Sequence, residues 1–344
     1  MTEGCAKGMS MRYSSRMESG GAIGEAALLL RRAGSVLLAP HVNIDGDDAG
    51  SMIALSEGLE SLGVRTVCVS HDPIPQNISF LEGCDRILPG VPPHDGPFDC
   101  LVLMECTNPG RLPEGFDPSR LARSVLNLDH HKGNAMPADV SWVDPGAAAL
   151  GEMVFRLLKE MGAEISPVAA NALFLSIMSD TGGFKYSNVS SMTHEIAAEL
   201  IDLGADSYGC SRKFFLSVPV NLVRLTGRLM SDLSVECGGR LVVSRLSMDM
   251  IRGFGVSMKD VHRLAESLNV VSGSVVFCLF TELPDGSFAV SLRSSDPSFN
   301  VRMHAMRFGG GGHDAAAGCT LDGAGRIEEL LAPIRKELDA FGKN

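Results

Sequence analysis

"SVLLAPHVNIDGDDAGS" (residues 35–51) carries three structural signals in one line. Its first six residues form an apolar run of the length of a buried strand. At its far end Asp47 or Asp48 can cap a helix running to about Leu62, and Gly63 suits the C-terminal stop. Between them lies a polar loop with His41 and Asp45. The strand signal recurs in "VRTVCVS" (64–70), "DCLVLME" (99–105) and "RSVLNLD" (123–129), and helices are expected at 147–162, 167–179 and 192–203. Near-continuous apolar strands set between helices predict an α/β fold, with a mostly parallel sheet flanked by helices.

The pattern changes past about Gly204. Residues 207–228 read as a helical linker. "LSVECGGRLVVSRLS" reads as a hairpin turning at Gly238–Gly239, "GSVVFCLFTELPDGSFAVSLRSS" as a second turning at 284–286, and 325–341 as a last helix. The expected organisation is a tail at 1–19, a first domain at 20–206, the linker, and a smaller C-terminal α/β domain at 229–344. A length of 344 residues suits two cores better than one.

Composition narrows the function. Apolar residues make up 45% and charged residues 21%. No apolar run approaches the ~20 residues of a membrane span. The N-terminus lacks the apolar segment of a signal peptide. Nine cysteines without a CxxC pair read as reduced thiols, so a cytoplasmic protein is expected. A net charge of −11 argues against tracking long duplex nucleic acid, which needs a broad basic surface. It leaves room for a small phosphorylated substrate, because bound cations offset an acidic pocket.

Four groups carry the chemistry. His41, Asp45 and Asp47 follow the first strand. Glu105 closes "CLVLMECTNPGR". Asp129, His130 and His131 close another strand, and Asp180 ends the helix before "TGGFKYSN". Each has an ordinary reading as a cap or a strand-end polar residue. Jointly they do not, because ligands of open α/β sheets collect beyond the carboxyl ends of strands, where three of the four groups fall. His41, Asp45, Asp47, Glu105, His130 and Asp180 are six N/O donors, a set that suits two divalent ions. A fifth group is "RFGGGGHDAAAG". Gly309, Gly310, Gly311 and Gly312 can bare backbone N–H groups to an anion, with His313 beside them. Arg293, ending the strand "FAVSLRSS", can fork a phosphate.

"HVNIDGDDAGS", "DHH", "SDTGGFKYSN" and "FGGGGHDAAAG" resemble, in order, the motifs of the DHH phosphoesterases with the DHH-associated C-terminal domain. The resemblance runs from about residue 20 to 340 and is most like the nanoRNase/pAp phosphatases. It implies an active site in the interdomain cleft and two Mn²⁺ ions, with Mg²⁺ or Co²⁺ as substitutes. One ion would be held by His41, Asp45 and Glu105, the other by Asp47, Glu105, His130 and Asp180. One departure is Glu105, where much of the superfamily has Asp; the extra methylene moves the carboxylate outward. The implied substrates are short RNA or DNA oligonucleotides and 3′-phosphoadenosine 5′-phosphate (pAp). Dinucleotide or cyclic-dinucleotide hydrolysis is the alternative chemistry, and a weakly catalytic nucleotide sensor the alternative class. A homodimer is admitted as an assembly. His131 is the candidate for contacting the phosphate or protonating the leaving oxygen, with Asp129 orienting an imidazole. Arg293, the glycine loop, His313 and Arg111 are the candidates for holding the rest of the substrate.

Overall fold

The computed structural model describes residues 21–91, 96–261, 264 and 270–341, so the tail expected at 1–19 lies outside the described residues. The chain divides into two compact units, Met1–Ser217 and Val218–Asn344.

The first unit follows strand–helix alternation: α1 (Ala22–Arg32), β1 (Ser35–Pro40), α2 (Gly46–Ser61), β2 (Arg65–Ser70), β3 (Ile87–Pro89), β4 (Cys100–Met104), α3 (Pro118–Leu121), β5 (Val125–Asp129) and β6 (Val140–Val143), then α4 (Leu150–Glu160), α5 (Pro167–Asp180), α6 (Ser191–Asp202) and α7 (Ser207–Phe215). The sheet order is β3-β2-β1-β4-β5-β6, and every pairing is parallel. The order reverses between β1 and β4, which opens a crevice at their carboxyl ends. Alternation along the strands divides the core in two. Val36, Leu38, Val102, Leu126 and Leu128 pack with the helices. Leu37, Ala39, Leu101 and Leu103 face a second cluster, covered by Phe98, Cys106, Ala122 and Met136 rather than by long helices.

The cap of α2 corrects one expectation. Asp45, not Asp47 or Asp48, is the N-cap, and its Oδ1 accepts the N–H groups of Asp47 and Asp48 at 2.9 and 3.1 Å. Asp47 and Asp48 thus fall inside the first turn, where both side chains are buried. Gly63 ends the helix as expected, at φ +81°. The helices α2, α4 and α5 approach so closely that a Cβ on Gly50 would lie 2.3 Å from the carbonyl oxygen of Ala172. One on Gly151 would lie 2.0 Å from Ser176 Oγ.

The stretch 207–228 is not one helix. It breaks at 216–219, where Pro219 has no N–H to continue a helix and instead caps the next one. Cys210 of α7 belongs to the core of the first unit. Leu222, Leu225 and Leu229 of α8 (Val220–Ser231) belong to a core of the second.

The second unit continues with β7 (Ser234–Glu236), β8 (Leu241–Leu246), α9 (Met248–Phe254), α10 (Met258–Val261), β9 (Val276–Glu282), β10 (Phe288–Ser294), α11 (Val301–Met306), β11 (Gly311–Gly312), β12 (Ala316–Leu321) and α12 (Ile327–Ala340). Both expected hairpins form, as antiparallel β7–β8 and β9–β10, while β8 and β9 run parallel. The fold class is therefore α/β in both units. Among the described residues, eight cysteines are free thiols, and no helix is long and apolar enough to cross a membrane.

Gly50→Ala tests the helix contact. The obstructing atom is backbone and cannot rotate away, so the variant should lose about 1–3 kcal/mol, read as a lower urea midpoint with unchanged slope.

Candidate metal centre

The three strands that carry site residues, β1, β4 and β5, are adjacent in the sheet. His41 follows β1, Glu105 follows β4, and Asp129 ends β5 with His130 next. Each of His41 and His130 has its Nδ1 at a backbone carbonyl, Val42 O at 2.6 Å and Ala147 O at 3.3 Å. A ring whose Nδ1–H donates to a carbonyl turns an unprotonated Nε2 the other way, the form that binds a cation. Both Nε2 atoms meet carboxylates. His41 Nε2 lies 3.3 Å from Asp48 Oδ2 and 4.0 Å from Glu105 Oε2. His130 Nε2 lies 3.3 Å from Asp180, 3.6 Å from Asp47 and 3.8 Å from Glu105.

The donor atoms of His41, Asp45 and Glu105 all lie within 4.8 Å of one another, and so do those of Asp47, Glu105 and His130. Glu105 is common to both groups. Its backbone sits at φ +53°, a conformation that a side chain bearing a Cβ adopts at a cost, and one that functional sites concentrate. Asp47 is tied in most firmly. Its oxygens accept the N–H groups of Leu150 and Gly151 at 2.6 and 3.1 Å, and the hydroxyls of Ser51 and Ser176. The helix α4 has no side-chain cap of its own, so Asp47, from α2, satisfies its first N–H groups.

This crowding of acids sets the electrostatics. Burial, and then the neighbouring carboxylates, hold the carboxyls of Glu105 and Asp48 well above the usual range. Burial and Asp47 push Asp180 up to about 6. Burial lowers His41, whereas at His130 burial is outweighed by the Asp180 carboxylate, which raises it to about 9. Such a cluster is held together either by protons or by cations. Glu105 Oε1 is buried without a hydrogen-bond partner. Imidazole nitrogen and carboxylate oxygen are the donors that divalent ions such as Mn²⁺ take, and the residues fit two of them.

His131 lies 4.0 Å from Glu105 Oε2 but is held by a different partner from His130. Its Nδ1 is 2.8 Å from Asp129 Oδ1, which also accepts its backbone N–H at 2.9 Å. Asp129 is itself gripped by Asn134, whose side chain bridges to the carbonyl of Cys106 at 3.1 Å and accepts from Asn127 at 3.0 Å. Burial raises the Asp129 carboxyl, but its bonds to His131 and Asn134 win and hold it below the usual carboxylate range. Arg111 also comes to this region. Its carbonyl accepts the Val42 N–H at 3.0 Å, its charge acts on His41 and Asp48, and its buried Nε has no hydrogen-bond partner.

Three residues of this neighbourhood escaped the sequence reading. Asp48 was read only as a possible cap, and Asn134 and Ser176 were not singled out. The "DGDD" doublet is the signal that pointed to Asp48. Nothing local marks Asn134 or Ser176, whose partners are non-local or buried.

In the second unit two of the glycines, Gly310 and Gly312, have a packing reason. A Cβ on Gly310 would lie 2.0 Å from Gly318 O, and one on Gly312 2.5 Å from Ala316 O. The N–H groups of Gly309, Gly310 and His313 donate to Met306, Ala305 and Ala316 carbonyls. Those three N–H groups are therefore engaged within the unit itself. The glycines let β11 lie against β12, where Gly311 pairs with Gly318. Arg293 pairs with Ala316 at the same end of that sheet.

Residues 35–177 match the DHH family, N-terminal domain, and residues 238–340 match the DHHA1 domain. The chain is 29% identical over 329 residues to a bifunctional oligoribonuclease and PAP phosphatase, NrnA, of Thermus thermophilus, covering 92% of this chain and 94% of that one. It is 27% identical to the NrnA of Bacillus subtilis, covering 87% and 93%. The crystal structure of an exopolyphosphatase-related protein from Bacteroides fragilis has the same fold, with a TM-score of 0.81, 24% identity and coverage of 93% and 96%.

Asn134→Ala should free Asp129 and let the His131 ring wander. Phosphoester turnover is expected to fall about tenfold or more while metal affinity stays unchanged, measured by kcat beside Mn²⁺ titration.

Proposed function

We infer, from the fact that the chain belongs to the DHH family and carries a C-terminal DHHA1 domain, that it is a metal-dependent phosphoesterase acting on very short oligonucleotides and on pAp. The observation that carries the reading is the pair of donor groups sharing Glu105. Two relatives that this chain matches over most of its length bear names giving the same two activities.

His41, Asp45 and Glu105 would hold one divalent ion, Mn²⁺, and Asp47, Glu105, His130 and Asp180 the other. When bound, such a pair lowers the pKa of water and offsets charge on a phosphate. The protein's own groups do the rest. The Asp129 carboxylate holds Nδ1 of His131 and fixes the ring, and Nε2 would donate to the phosphate or to the leaving oxygen when the ring carries both protons. The Arg111 guanidinium, with its unpartnered Nε, supplies a fixed positive charge for a phosphoryl oxygen. In the second unit Arg293 and His313 would take the far end of the substrate.

The experiment is a panel of dinucleotide, pAp, pApA, cyclic dinucleotide and longer RNA with added Mn²⁺. Mononucleotide from the dinucleotide and phosphate from pAp are expected, with little from the longest chain. Glu105→Gln keeps the shape of the shared ligand but removes its charge, and should lower kcat/KM on both substrates by about a thousandfold or more. Full activity in that variant would sink the two-ion reading.

Arg293→Ala separates gripping from cutting. It should raise KM for the dinucleotide and leave hydrolysis of bis-p-nitrophenyl phosphate nearly unchanged. Equal losses on the two would remove Arg293 from substrate binding.

A further inference from the structure

Two buried aspartates stand next to each other at the start of α2, and the fold accounts for only one. Asp47 is fully buried and accepts two backbone N–H groups and two hydroxyls. Asp48 is also fully buried, yet neither of its side-chain oxygens has a hydrogen-bond partner. Its charged neighbours include two further aspartates, Asp45 and Asp47, with Arg111 acting only through space. A buried carboxylate whose oxygens make no hydrogen bond is costly, so an apolar residue would serve a purely structural role better.

The geometry gives Asp48 a target. Its Oδ2 is 3.3 Å from His41 Nε2, the ring atom left to bind a cation once Nδ1 is spent on the Val42 carbonyl. Neighbouring donors on an octahedral ion with bonds of ~2.1 Å lie roughly 3 Å apart. The two atoms are therefore spaced as adjacent ligands of one ion.

We propose that Asp48 is a further ligand of the ion held by His41, Asp45 and Glu105. The inference rests on the two-ion reading above and completes it. The two donor sets become alike: His41 with Asp45, Asp48 and Glu105, and His130 with Asp47, Asp180 and Glu105. Each has one imidazole and three carboxylates, with Glu105 shared. A third carboxylate makes the first set harder, which favours Mn²⁺ or Mg²⁺ over softer ions.

The test is Mn²⁺ titration of metal-stripped full-length protein by calorimetry, with bound Mn²⁺ counted by electron paramagnetic resonance. The wild type should bind two ions. Asp48→Asn should weaken one by at least about tenfold and leave the other unchanged. Asp48→Ala, which cannot offer an amide oxygen, should weaken the same ion further. The rise in Tm on adding Mn²⁺ should shrink in both variants, while the metal-free Tm does not fall in Asp48→Asn, because the side-chain oxygens of Asp48 make no hydrogen bond that the isosteric amide would lose. Two ions bound with wild-type affinity in both variants would overturn the proposal. So would a lower metal-free Tm in Asp48→Asn with an undiminished Mn²⁺ shift, the mark of a structural role. If Asp48→Ala does not fold, the isosteric Asp48→Asn decides alone. A wild type that binds no Mn²⁺ overturns both this assignment and the two-ion reading. A wild type that binds two ions but hydrolyses no substrate overturns only the function.

Discussion

The buried carboxylate of Asp47 is the interaction on which the first unit is organised. It leaves the first turn of α2, takes the two leading N–H groups of α4 and the hydroxyl of Ser176 on α5, and lies 3.6 Å from His130 Nε2. Three helices are thereby referenced to one side chain. The small residues around it follow from that demand. Gly50 and Gly151 leave no room for a Cβ, because the helices must close far enough for a short aspartate to reach them all. Packing and charge placement here are one constraint: a helix that slipped outward would strand a buried negative charge.

Parallel strand order then brings the other donors in. Strands β1, β4 and β5 are neighbours, so residues distant in the chain end at the same edge of the sheet. Backbone carbonyls orient both imidazoles, and an unfavourable positive φ at Glu105 places its carboxylate where both donor groups meet it. The cost of assembling so many acids is visible in the carboxyls of Glu105, Asp48 and Asp180, all raised by burial and by one another. Bound cations would relieve that cost and so couple the stability of this unit to metal binding. Asp129 belongs to a different system. Its carboxylate serves His131 and Asn134, so the two adjacent histidines have different partners.

In the second unit the glycine motif serves packing as well. The four glycines look like a ligand loop because bare backbone suits an anion. In the fold the missing side chains of Gly310 and Gly312 admit β12, and carbonyls of the same unit take the N–H groups of Gly309, Gly310 and His313. Arg293 and His313 remain the polar groups at that end of the sheet.

The sequence by itself determined the alternation of strands and helices, the two hairpins and the candidate donors. Strand periodicity, turn residues and charged groups at strand ends are local signals, and residues such as His41, Glu105 and His130 announce themselves by ending apolar runs. It did not distinguish Asp45 as the cap from Asp47 and Asp48 as inward-facing groups, because a one-residue shift of a helix start turns every side chain by about 100°. Only the tertiary structure decided that Asp47 caps a helix over a hundred residues away, that Asn134 holds Asp129, and that Asp48 is buried with its oxygens in no hydrogen bond. Those facts depend on which atoms meet across elements, and the order of residues along the chain does not carry that information.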